Sequence, residues 1–154
     1  MLILAMAILA QAEATKESLE LAIRGLHQGM AAEKSEDRVK ALQAVLPKKE
    51  DVQALLGAHE EKIWPRMEAG QAEMLRNIDK VSEELTRHGE LKSVKLEAVE
   101  DPALLKLLPK ATPVFDYTNT FEKGAAGGGS YVWVRGRWVF FRGLTSVPRM
   151  ILKD

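Results

Sequence analysis

Three histidines, a glycine run, an aspartate between aromatic residues and an arginine-rich aromatic stretch are the parts of this chain that could do chemistry. His27, His59 and His88 stand far apart in sequence. Glu84 and His88 are four residues apart, a spacing that brings two side chains to one helix face and could place two ligands on a metal. The same spacing serves a solvated ion pair, and no H-E-x-x-H motif or second ligand pair accompanies it. His59-Glu60-Glu61 is equally sparse, so the sequence names no metal site.

The run Gly124-Ala-Ala-Gly-Gly-Gly-Ser130 has the composition of a phosphate cradle. A cradle needs a strand before it, a helix after it and usually a lysine in the loop. Strand-forming residues follow here instead, so the run reads as a flexible hairpin connection. Asp116, between Phe115 and Tyr117, is a carboxylate whose neighbours could strip it of water. Desolvation raises a carboxyl pKa and would suit Asp116 to general acid or base work, with a tyrosine as proton donor. The competing reading is a surface strand carboxylate, and no residue is named catalytic.

Tyr131-Val-Trp-Val-Arg-Gly-Arg-Trp-Val-Phe-Phe141 interleaves arginine with aromatic residues, a composition that elsewhere stacks single-stranded bases. Strand alternation accounts for it more simply. Tyr131, Trp133 and Arg135 share one face and Val132 and Val134 the other, while Trp138, Phe140 and Arg142 oppose Val139 and Phe141. Both faces are apolar, which predicts one against the helices and the other lining a concavity.

The elements that would position these residues follow from periodicity. Leu19, Ile23, Leu26 and Met30 predict a helix over 16–32. Ser35, followed by Glu36 and Asp37, predicts the cap of a second helix that Pro47 stops, and Val52, Leu55 and Leu56 mark a short helix ended by Gly57. From 59 to 87, Ile63, Met67, Met74, Ile78, Val81 and Leu85 form one sustained seam, with a kink or joint expected at Trp64-Pro65. Past Gly89 the period falls to two. Strands are expected over 94–99, 114–121, 131–135 and 137–143, with a short helical insert from Asp101 to Leu108 and a tight turn at Gly136. Helices first and strands last predict an α+β fold, its amino-terminal helices packed on a curved antiparallel sheet of about four strands.

Composition bounds the rest. The 154 residues, 46% hydrophobic and 29% charged, suffice for one packed domain and exclude a disordered chain. No cysteine is present, so no disulfide, thiolate ligand or thiol nucleophile is available. Basic and acidic residues balance at 22 each, which gives no overall field to attract nucleic acid. The balance is uneven, because residues 131–154 carry Arg135, Arg137, Arg142, Arg149 and Lys153 against Asp154 alone.

Leu2 to Ala10 are uninterrupted apolar residues, followed by Gln11-Ala12-Glu13-Ala14. An apolar run followed by small residues is the order of a signal peptide, and Ala12 and Ala14 fit the minus-three and minus-one positions of a cleavage site. The run is too short for a membrane-spanning helix, which needs about 20 residues. The sequence therefore predicts a signal peptide over 1–14, a single α+β domain over 15–154, and a periplasmic or secreted protein.

Amino-terminal helices followed by a meander that closes on Gly136 and Trp138 resemble the nuclear-transport-factor-like, or cystatin-like, cone-shaped superfamily. In that superfamily a tryptophan after a glycine turn often plugs the cone. The helical half, with Leu46-Pro-Lys-Lys-Glu-Asp-Val52, is also similar to uncharacterised exported bacterial proteins. The expected activity is non-enzymatic binding of a small apolar ligand or a protein partner, lined by Tyr117, Tyr131, Trp133, Trp138 and Phe140. No cofactor is implied. The alternatives are a small isomerase or hydrolase using Asp116 with a tyrosine, and an envelope-associated protein docking its basic end on anionic surfaces.

Overall fold

The computed structural model describes residues 13–152, so most of the expected signal segment, residues 1–12, and Lys153 of the basic end lie outside the described residues. The first helix, α1 (Lys16–Met30), starts where a reciprocal cap fixes it: Ser18 N–H donates to Thr15 Oγ1 at 3.0 Å and Thr15 N–H to Ser18 Oγ at 3.1 Å. Its buried residues are the predicted four, Leu19, Ile23, Leu26 and Met30. Helix α2 (Ser35–Gln43) follows, but Lys34 rather than Ser35 occupies its cap position, without a side-chain bond. The Ser35 hydroxyl donates instead to Asp79 Oδ1, which Arg38 also reaches, tying α2 to a later helix. Helix α3 (Lys49–Leu56) opens on a cap in which Asp51 Oδ2 accepts the Lys48 N–H at 2.8 Å.

The long seam divides in two. Helix α4 (Glu60–Arg76) contains Pro65 without ending there, and the break falls at Asn77, before α5 (Ile78–Thr86). Pro65 is the sixth residue of α4, so the helix runs on past it without its N–H bond to the preceding turn. The seam changes partners a little before the break: Ile63 and Met67 pack in one hydrophobic cluster, Met74, Ile78, Val81 and Leu85 in another.

Strands β1 (Leu91–Ala98), β2 (Val114–Phe121), β3 (Gly124–Val134) and β4 (Arg137–Phe141) form an antiparallel sheet in sequence order, with α6 (Pro102–Leu107) between β1 and β2 and α7 (Val147–Leu152) last. The protein is thus an α+β fold with helices packed on a curved four-stranded sheet. Register shifts between Leu91 and Ser93 and between Asp116 and Thr118 contribute to the curvature. The glycine run is not a connection. Gly124 to Gly127 pair with Phe121 to Thr118 as the first part of β3, leaving only Glu122-Lys123 as the turn.

Helices cover both sides of the β3–β4 half. Beneath α1, α2 and α5 lie Tyr131 and Trp138, with Phe115, Tyr117, Trp133 and Phe140 around them. On the other side Val114, Val132, Val134, Val139 and Phe141 pack with residues of α3, α4, α6 and α7. The aromatic face was expected to line a concavity and the other to meet the helices; instead helices cover both, because Pro102–Leu107 and Val147–Leu152 join α3 and α4 over the valine face while α1, α2 and α5 lie over the aromatic one.

A candidate ligand pocket between the two cores

The five aromatic residues expected to line a site do come together. Tyr117 and Tyr131 stand 5.4 Å apart by ring centroid, Tyr131 and Phe140 5.4 Å, Tyr117 and Phe140 6.1 Å, and Trp133 and Trp138 5.4 Å. Most of these contacts are edge-on, as ring quadrupoles favour. Tyr131 and Trp138 are buried, and the indole N–H of Trp138 donates to Ser18 Oγ at 2.8 Å, joining β4 to the first turn of α1. Burial pushes the phenol pKa of both Tyr117 and Tyr131 upward. The rings chiefly pack against each other and against helices, and Phe140 alone among them lines a pocket.

That pocket, of about 560 Å³, lies where the broken seam crosses from one core to the other. Ile63 and Met67 of α4, Met74 and Val81 on either side of Asn77, Phe140 and Phe141 of β4, and Val147 and Met150 of α7 contribute apolar surface. Two neighbouring strand residues, Phe140 and Phe141, point to opposite faces, so both can line it only because it opens along the sheet edge. The Phe140 ring reaches its place over Gly129, where a Cβ would stand 2.5 Å from a ring carbon. Exposed residues at the pocket include Arg66, Lys80 and Arg142, together with Glu73 and Glu84. The volume falls within the range of small-molecule sites, roughly 300–1,000 Å³, and the charged residues stand around an apolar floor. A second hollow, of about 650 Å³, lies by Lys48, Lys49, Glu50 and Trp64, where the indole N–H is already bonded to Glu68.

Asp116 and the tyrosines do not converge. Asp116 is exposed and accepts a 2.6 Å hydrogen bond from Ser130 on its own face, whereas Tyr117 and Tyr131 belong to the cluster under α1 on the other. Among the described residues of the basic end, Arg135 and Arg137 are bound to Asp51, and Arg142 stands at the pocket.

Two histidines meet across Phe121, His27 at 5.3 Å and His88 at 6.0 Å between ring centroids. His27 Nε2 lies 3.2 Å from Asn119 Nδ2, while Asn119 is buried with its Oδ1 unpaired. With the amide nitrogen turned toward the ring, Asn119 donates and Nε2 accepts, the role open to a neutral imidazole. Burial holds the His27 pKa below its usual 6.5, against the opposing pull of a hydrogen bond with the Leu85 backbone. Among the described residues no three His, Asp or Glu side chains gather as a metal set would require. No described helix is long and apolar enough to cross a membrane.

Periodicity pointed to Met67, Met74 and Val81 as core and gave no sign that a gap would open between them. Met150 and Asn119 gave no signal at all. The chain matches no protein-family model, no curated protein and no solved structure.

Proposed function

We propose that this chain is a non-enzymatic binding domain that takes up a small apolar ligand in the pocket beside β4. The observation that carries this reading is the position of the pocket: three methionines and Phe140 face a space left between two otherwise closed cores. Methionine side chains adapt to ligands of varied shape, and an aromatic wall adds contact area at little entropic cost. The reading keeps Phe140 from the residues expected to bind and assigns Tyr117, Tyr131, Trp133 and Trp138 to support it from behind. It also extends the resemblance to the cone-shaped superfamily, for which the meander and Trp138 after Gly136 remain the basis.

Export belongs to the same proposal. A cut after Ala14 would leave α1 and its Thr15–Ser18 cap whole, at the loss of the bonds from Ser18 Oγ and Thr15 N–H to the Glu13 carbonyl. Amino-terminal sequencing of secreted material is expected to begin at Thr15, and a start elsewhere in the chain would remove this part.

The ligand reading is tested with 8-anilinonaphthalene-1-sulfonate as probe. Gly70 lines the pocket and a Cβ there meets nothing within 4 Å, so Gly70→Trp should fill the space without disturbing the fold. Saturable dye binding by the unmodified chain, lost in Gly70→Trp at an unchanged unfolding midpoint, is the expected result. Equal binding by both chains, or none by either, would overturn it.

A further inference from the structure

The two edges of the sheet are treated differently. At β4, Phe140 N–H donates to the Val45 carbonyl and Arg137 donates to the Ala44 and Leu46 carbonyls, so the link between α2 and α3 covers that edge. At β1, Arg24 reaches only the Leu91 and Lys92 carbonyls, at the first turn of the strand. Val99 N–H donates to Val114 O, which turns the main-chain groups of 95, 97 and 99 toward β2 and those of Val94, Leu96 and Ala98 outward. Among the described residues nothing pairs with these outward groups. The bulge that would protect an open edge sits at Leu91 and Ser93 and leaves Val94 to Ala98 regular.

We infer that the β1 edge pairs with β1 of a second copy of this chain, antiparallel, with Leu96 opposite Leu96. Only a two-fold register is self-consistent for identical strands, and charge selects among those available. Centring on Lys95 sets lysine against lysine, and centring on Glu97 sets glutamate against glutamate. Centring on Leu96 sets Lys95 against Glu97 of the partner subunit twice over, and Val94 against Ala98 of the partner subunit. The same centre pairs outward main-chain groups with outward main-chain groups, closing the ladder at 94, 96 and 98. Lys95 and Glu97 already lie 3.0 Å apart on one exposed face, with side chains 73% and 66% accessible, so pairing builds a square of alternating charges without burying them. Leu21, 63% exposed and three residues from Arg24 on α1, lies on the helix side that reaches this edge.

Sedimentation of the full chain from about 10 μM to about 1 mM, the span in which so small an interface associates, should show a monomer–dimer equilibrium. Lys95→Glu or Glu97→Lys alone should weaken it by about tenfold, and the double reversal should restore it. The chain has no cysteine, so an added pair reports on the contact alone. Lys95→Cys with Glu97→Cys should form a disulfide-linked dimer on mild oxidation, and Lys95→Cys by itself should not, since it would face glutamate. A monomer throughout, association indifferent to the charge reversals, or slow amide exchange at Leu96 in the dilute monomer would each overturn the proposal. The last would mean that the chain covers its own edge.

Discussion

Arg137 and Asp51, 86 residues apart, are joined by a 2.7 Å contact from Nη2 to Oδ2, and the Asp51 carboxylate is 1% exposed. The same guanidinium donates to the Ala44 and Leu46 carbonyls at 2.8 Å, and Asp51 also accepts the Lys48 N–H. One side chain therefore fastens the α2–α3 link, the start of α3 and the β4 edge together. Removing Arg137 leaves the buried carboxylate with only the Lys48 N–H and the longer Arg135 contact to compensate it. Arg137→Ala should lower unfolding free energy by about 3 kcal/mol in urea titrations. Arg137→Lys should recover only a part, because a lysine cannot hold three acceptors in one plane.

Arg135 carries the opposite expectation. It sits at φ 52° beside Gly136 at φ 81°, a two-residue turn with both positions left-handed, which suits the twist of a hairpin but not an arginine. Its contact with Asp51 is 3.4 Å and its side chain is half exposed, so the ion pair contributes little. Arg135→Asn should therefore raise the thermal midpoint modestly, by about 0.5 kcal/mol of stability, since asparagine tolerates this backbone region. A lower midpoint would mean that the Asp51 contact outweighs the turn.

The contrast between these arginines shows where the sequence stops being legible. Alternation over 131–141 was enough to place the hairpin, its turn and the two faces, because a period of two is a property of neighbouring residues. That Arg137 would find Asp51 depends on how α3 docks against β4, which no local pattern encodes. The same holds for the pocket. The spacing of Met67 and Met74 fits one continuous seam, yet within α4 the two pack in different cores, and the helix then breaks at Asn77, a residue with no proline or glycine beside it. The glycine run misled for a related reason: low side-chain content reads as a loop, while here it lets β3 pass beneath the Phe140 ring.

Two glycines of α1 should respond in opposite directions to the same change. A Cβ at Gly25 meets nothing, and Gly25→Ala should stabilise by about 0.5–1 kcal/mol through helix propensity. A Cβ at Gly29 would stand 2.2 Å from the Cβ of Ala41, so α1 and α2 would have to separate. Gly29→Ala should cost about 1–3 kcal/mol despite the same gain in propensity. Chemical denaturation of both variants decides it, and a stabilised Gly29→Ala would show that the two helices move apart freely.

Acid should weaken the fold through His27. Its pKa is held below 6.5 by burial, so the unfolded chain takes up the proton first as pH falls, and the folded state loses relative stability. The contribution of the neutral ring is complete above about 6.5 and declines below it, until the folded pKa is also passed. Protonation also turns His27 Nε2 into a donor facing the Asn119 amide nitrogen, and the amide could answer only by exposing its oxygen to the ring. His27→Gln keeps an acceptor for Asn119 and removes the titration. Unfolding measured between about pH 7.5 and about pH 5 should fall more steeply for the unmodified chain than for His27→Gln. Parallel pH profiles would place the acid sensitivity elsewhere and leave the His27–Asn119 contact a packing arrangement alone.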